Sequence, residues 1–201
     1  MDSLAVRKKR AAKIAKKLKE LYPAARIALK YSTDWELMVA VQLSAQCTDV
    51  KVNEVTASLF KKYPTFDAYV HADPAEFEQD IRQTGFYRNK AKNILSAAQL
   101  IEKEYGGKLP QTMEEMVRLP GVARKTANVV LGNACGVREG IAVDTHVRRL
   151  SLKLGLTDSR DPVAIEQDVM EVLPKKEWFD FTYRLIEYAR HTCIARKHEC
   201  H

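Results

Sequence analysis

No stretch of about 18 consecutive apolar residues occurs in this sequence, so nothing in it reads as a membrane-spanning helix. The amino-terminal segment VRKKRAAKIAKK has no apolar core or small-residue cleavage site behind it, so it is not expected to act as a secretory signal. Both absences place the expected location in a reducing cytoplasm, where disulfides are a poor explanation for cysteines. Only four of these occur: Cys47, Cys135, Cys193 and Cys200. Glycine and proline are also sparse, at 8 and 7 of 201 residues, which excludes collagen-like and low-complexity chains. Repeats and linkers rich in Gly, Ser or Pro are missing, so composition marks no domain boundary. Runs of alternating polarity long enough for a strand are missing as well.

What is present is a globular composition, 46% hydrophobic and 29% charged, with helical spacing of apolar residues nearly throughout. Ala11, Ile14, Ala15, Leu18 and Leu21 share one face, as do Val52, Val55 and Leu59. Cutting at the turn and cap signals, among them Thr33-Asp34, Asp73-Pro74, Gly106-Gly107, Pro120-Gly121 and Asp161-Pro162, gives roughly ten helices joined by short connections. The expected fold class is all-α.

The net charge of +7 is not spread evenly. Residues 1–30 hold ten positive and two negative side chains, so the remaining 171 residues are close to neutral. The plain reading of that first segment is a solvated helix face; the alternative is attraction to a polyanion. A second excess of positive charge falls in residues 121–160, where the informative motifs lie.

In TMEEMVRLPGVARKTANVVLGNACG, a helical run from Thr112 to Arg118, with Thr112 and Glu115 spaced as a capping box, is broken by Leu119-Pro120-Gly121-Val122-Ala123. A second helix starts at Arg124. A Pro-Gly turn that ends at a helix N-terminus points backbone N–H groups outward, where the helix dipole also favours an anion such as a phosphate. An ordinary tight helical hairpin is the plainer reading of the same turn. Lys125 falls in the first turn of the second helix, against the usual preference for acids there. An amine attacks only when neutral, and a helix N-terminus and partial desolvation both disfavour the ammonium form. Further on, in IAVDTHVRRLSLKLGL, Asp144 is placed as an N-cap, which would hold its carboxylate oriented.

LPGVARKTAN followed by VDTH resembles the helix-hairpin-helix and catalytic segments of the endonuclease III family of DNA glycosylases. The resemblance extends along nearly the whole chain. It implies two helical domains with a DNA groove between them: residues 27–139 as a six-helix domain carrying the hairpin at 119–123, and residues 1–26 with 140–201 as the second. It makes Lys125 the nucleophile that forms an imine with the sugar, and Asp144 the carboxylate that stabilises the developing positive charge and assists proton transfer. Lys125 and Asp144 would meet at the mouth of the groove. Gly121, Val122, Ala123 and Arg124 would hold DNA at the hairpin, with Ala123 standing where the family usually has glycine. Gln46 would fill the gap left by an extruded base and Phe86 would act as the apolar wedge, where leucine is more usual. His146 and Arg148 are further candidates for DNA contact, and His146 reads equally well as a buried structural histidine. Cys47, where the family usually has alanine, reads as a small buried apolar residue.

Cys193 and Cys200 reproduce the first spacing of the family's four-cysteine iron–sulfur loop. The two further ligands would fall beyond His201. The expectation is therefore a [4Fe–4S] cluster in the complete protein and no intact cluster in the 201-residue chain.

The implied activity is base-excision repair: removal of oxidised pyrimidines from double-stranded DNA, then strand cleavage at the abasic site by β-elimination. The enzyme is expected to be a monomer in the cytoplasm of a bacterium or archaeon, associated with the nucleoid through DNA. Two rivals stay open on sequence: a monofunctional glycosylase that forms no imine, and a non-catalytic helix-hairpin-helix module to which Lys125 and Asp144 are dispensable.

Overall fold

The computed structural model of the chain describes residues 2–195. Among them are eleven α-helices, two 3-10 turns and no strand, as the apolar spacing implies. The chain divides into two compact units, one of Met1–Ile27 with Arg138–His201 and one of Ala28–Val137.

The continuous unit contains α2 (Asp34–Leu43), α3 (Asp49–Lys62), α4 (Phe66–Val70), α5 (Pro74–Asp80), a 3-10 turn (Arg82–Thr84), α6 (Tyr87–Tyr105), α7 (Met113–Met116) and α8 (Arg124–Ala134). That is seven α-helices, where the family layout implies six. α5 starts afresh after only five residues of α4, because Asp73 caps it with Pro74 at its first position. α2 is the centre of this unit, with eight of its ten residues buried. It starts at a closed capping box between Thr33 and Glu36 and is apolar all round, as an enclosed helix must be. α6 is amphipathic and buries Ala91, Ile94, Ala98 and Ile101.

The discontinuous unit contains α1 (Leu4–Leu21), α9 (Thr145–Lys153), α10 (Pro162–Val172), a 3-10 turn (Lys175–Glu177) and α11 (Trp178–His191). Ala11, Ala15 and Leu18 of α1 pack in one core with Val147, Leu150, Ile165, Val169, Phe181 and Leu185. The basic face of α1 is only partly the solvated surface expected. Lys8, Lys9, Lys13, Lys16, Lys17 and Lys19 are exposed, but Arg7 lies within the core at 5% exposure. Its Nη2 and Nε donate to the Leu156 carbonyl at 2.6 and 3.2 Å, and Nη2 sits 3.6 Å from Asp168 Oδ1. Arginine tolerates this position because its planar fork serves a carbonyl and a carboxylate at once.

Arg7→Met keeps the apolar stem but leaves a buried carbonyl without its charged donor. We expect it to lower the unfolding free energy by about 2 kcal/mol, against a change within about 0.5 kcal/mol for the exposed Lys8→Met. Urea denaturation of the three proteins side by side measures the difference.

Candidate functional site

In the continuous unit the hairpin is built by short-range bonds. Thr112 Oγ1 accepts the Glu115 N–H at 3.3 Å and donates its own hydroxyl to Glu115 Oε2 at 2.8 Å, so Thr112 caps the helix as expected, with Glu115 bonded to the hydroxyl in place of the Thr112 amide that a full capping box uses. α7 stops at Met116 instead of reaching Arg118, because the amides of Arg118 and Leu119 turn back to Glu115 and Met116 in the tighter 3-10 pattern. The Val122 N–H then donates to the Leu119 carbonyl at 3.1 Å. Leu119 and Val122 are both buried under the turn. The Val122 side chain and amide are thus both engaged within the turn, and Gly121, Ala123 and Arg124 are its exposed neighbours.

Gly121 is required by both backbone and space. Its φ is +74°, and a Cβ there would lie 2.6 Å from Gln42 Oε1 and 2.8 Å from Asn93 Cβ. Ala123, by contrast, has φ −88° and ψ 168°, an extended conformation open to any residue, so alanine fits where the family favours glycine. Ala123 is the N-cap of α8 and gives no side-chain cap. The first-turn amides are thus left without the oxygen that a Ser, Thr or Asp would supply. Ala123, Arg124 and Lys125 are all exposed.

Gln46 and Phe86 share a rare property. They are the only non-glycine residues with positive φ among the described ones, at 54° and 48°. Both are exposed, Phe86 to 64%. A left-handed conformation costs an L-residue about 1–2 kcal/mol, and such strain gathers where a side chain must be held in one particular place. Phe86 is the uncapped N-cap of α6. Gln46 lies in the turn after α2, next to Cys47, which is partly exposed instead of buried.

In the discontinuous unit Asp144 caps α9. Its Oδ1 accepts the amides of His146 and Val147, each at 2.8 Å, and its carbonyl accepts the Arg148 N–H at 2.9 Å. Oδ2 has no protein partner among the described residues. His146 is partly buried and Arg148 is exposed on the same first turns. Farther along α9, Arg149 Nη1 and Lys153 Nζ lie 3.4 and 3.6 Å from the Sγ of buried Cys193.

Two cationic donors at one sulfur suit a thiolate ligand, but a [4Fe–4S] cluster takes four thiolates. Among the described residues no three His, Cys, Asp or Glu side chains gather to hold a metal. Cys200 lies outside the described residues. The described residues therefore do not make up a cluster site.

Three residues that the sequence did not single out lie next to these elements. Gln42 and Asn93 floor the hairpin glycine, and Lys90, at 6% exposure, bonds the Leu43 and Thr84 carbonyls. Lys90 had a signal in the sequence: it sits four residues before Ile94, on the stripe that α6 buries.

A phosphate-ready hairpin, a lysine on an uncapped helix and a capping aspartate define a helix-hairpin-helix DNA repair protein, and residues 39–175 match the family described as HhH-GPD superfamily base excision DNA repair protein. Endonuclease III of Synechocystis sp. is 51% identical over 200 residues, covering 100% of this chain and 91% of that relative. A solved structure of a non-covalent endonuclease III–DNA complex superposes with a TM-score of 0.92 at 40% identity, covering 100% of this chain and 92% of the other. A trapped covalent endonuclease III–DNA intermediate superposes with the same score, identity and coverage. The chain belongs to the endonuclease III family of base-excision-repair DNA glycosylases and abasic-site lyases.

The dual position of Asp144 separates stability from chemistry. Asp144→Ala removes the cap and is expected to cost about 1 kcal/mol, whereas Asp144→Asn keeps an oxygen for the same amides and stays within about 0.5 kcal/mol of the parent. Gly121→Ala is expected to cost about 2 kcal/mol or more, from both the positive φ and the collision with Asn93. Thermal denaturation of the three variants checks both statements.

Proposed function

We propose that this protein removes oxidised or ring-saturated pyrimidines from double-stranded DNA and then cuts the strand at the resulting abasic site, with Lys125 as nucleophile and Asp144 as its assisting carboxylate. The observation that carries this assignment is the start of α8, where an exposed lysine follows a Pro-Gly hairpin on a helix with no side-chain cap. Phosphate bound at Gly121, Ala123 and Arg124 would lie at a helix start that has no side-chain cap, where the helix dipole favours an anion, without reading bases. The same contact would lay the sugar-phosphate chain beside Lys125 and strip water from its amine. Similarity to a trapped covalent endonuclease III–DNA intermediate supports covalent chemistry over simple hydrolysis.

In the proposed sequence, neutral Lys125 Nζ attacks C1′ and the bond from C1′ to the base nitrogen breaks, the base leaving with a proton. Opening of the sugar ring gives an imine between Nζ and C1′. Loss of a C2′ proton then expels the 3′ phosphate, which nicks the strand, and water hydrolyses the imine to restore the lysine. Asp144, held by two α9 amides, keeps one carboxylate oxygen for the positive charge that develops on the sugar and for proton transfers. His146 and Arg148, next to it on α9, contact DNA.

An enzyme that acts on a base within a duplex must extrude it and fill the hole. Gln46 and Phe86, exposed and held in left-handed conformations, take those roles. The family's [4Fe–4S] cluster supplies no step here, and Cys193 would be one of its ligands. No helix is long and apolar enough to cross a membrane among the described residues. With bacterial relatives and a DNA substrate, the assigned location is the cytoplasm, on the nucleoid.

Borohydride trapping on a duplex with one thymine glycol tests the nucleophile. Lys125→Gln should abolish the trapped adduct while binding to damaged DNA stays within about tenfold, since the change removes little contact surface. Equal loss of binding and trapping would make Lys125 a phosphate anchor instead. In single-turnover assays Asp144→Asn should slow base release more than elimination at a preformed abasic site, and the reverse order would reassign its role.

A further inference from the structure

Lys90 is the fourth residue of α6, and its ammonium is enclosed in the continuous unit at 6% exposure. It donates to the Leu43 carbonyl at 2.7 Å and to the Thr84 carbonyl at 2.8 Å. Its backbone N–H donates to the Phe86 carbonyl at 3.1 Å. Burial pushes its pKa below the usual lysine range, with Cys47 nearby acting in the opposite direction. A buried ammonium is costly and persists only where its donors are well used.

The two carbonyls are not arbitrary. Leu43 is the last residue of α2 and Thr84 the last of the 3-10 turn, so both belong to helix ends whose carbonyls lack intrahelical partners. Leu43 stands three residues before Gln46 and Thr84 two before Phe86. Those are the two left-handed non-glycine residues among the described ones. One side chain therefore closes the ends of both elements that lead into the strained turns. The bonds are charge-assisted, stronger than an amide or hydroxyl would make there.

We infer that Lys90 is a positioning residue for base extrusion, a single cationic anchor that holds the Gln46 and Phe86 turns in register with one another. It depends on the gap-filling roles proposed above for those two residues. Lys90 does not touch DNA or the reacting sugar. It fixes the backbone from which the two side chains project, and a wedge acts only if its support is rigid.

The test compares two reactions of the same preparation: base release from a duplex with one thymine glycol, and β-elimination at a preformed abasic site in a single-stranded oligonucleotide. The second needs no extrusion and no gap filling. Any unfolded fraction lowers both equally and cancels in their ratio. For Lys90→Met, which keeps the apolar stem and removes the charge, the duplex-to-single-strand ratio should fall by about tenfold or more. The rise in emission from a 2-aminopurine placed beside the lesion, which reports unstacking, should fall with it. Lys90→Gln, which keeps a donor for one carbonyl, should lose less, and it stands in if the methionine variant does not fold.

An unchanged ratio in a folded Lys90 variant overturns the inference. Gln46→Ala and Phe86→Ala separate this failure from that of the underlying roles. If neither lowers the ratio, the gap-filling roles fail, and the inference with them. If both lower it while Lys90→Met does not, the roles stand and Lys90 is only a structural residue.

Discussion

Every α-helix begins with amides that have no partner within the helix, and the way this chain meets that demand organises the rest of the molecule. Most of its helices start on a side-chain oxygen: Ser3 for α1, Thr33 for α2, Thr48 for α3 and Asp161 for α10 follow one pattern. α6, α8 and α11 have no such oxygen. α11 runs on from a 3-10 turn and needs none. The other two starts carry Phe86 and Lys125. Where the local sequence withholds a cap, the helix end stays available to something outside the protein, and for α8 the neighbouring Pro-Gly turn suits a phosphate.

Asp144 shows the same constraint from the other side. The carboxylate that meets the demand of α9 is the one proposed to assist the reaction, and the proposal gives that second task to the other oxygen. Oδ1 is occupied by the amides of His146 and Val147. Those two bonds fix the orientation of the carboxylate within the folded chain. At the C-terminal end of α2 the demand is for donors, and Lys90 supplies them from a different helix.

Legibility followed range. Thr33 with Glu36, Asp73 with Pro74 and Asp161 with Pro162 mark helix starts through contacts within a few residues, and each start lies where those residues put it. The helix-start positions of Lys125 and Asp144 were readable for a similar reason, because their motifs are contiguous. Elsewhere the structure departs from the plainest reading, through a tertiary neighbour at Arg7 and through local turn bonds at Val122. Arg7 reads as one of many surface cations, but the Leu156 carbonyl and Asp168 draw it inward. Val122 reads as part of a phosphate-binding turn, but its amide closes that turn and its side chain fills the space beneath. Cys47 reads as buried, yet it belongs to the exposed turn that Gln46 bends.

By itself the sequence determined an all-helical chain, the placement of its caps, a hairpin with glycine at its bend, and a lysine and an aspartate at two helix starts. These depend on backbone conformation and on bonds between near neighbours, which residue order encodes directly. Only the tertiary structure decided which cations leave solvent, and that one lysine joins the approaches to Gln46 and Phe86. Lys90 and Leu43 are 47 residues apart in sequence. A bond across that span exists only after α2 and α6 have packed, because the enclosure that makes a buried ammonium seek carbonyls is created by the packing itself.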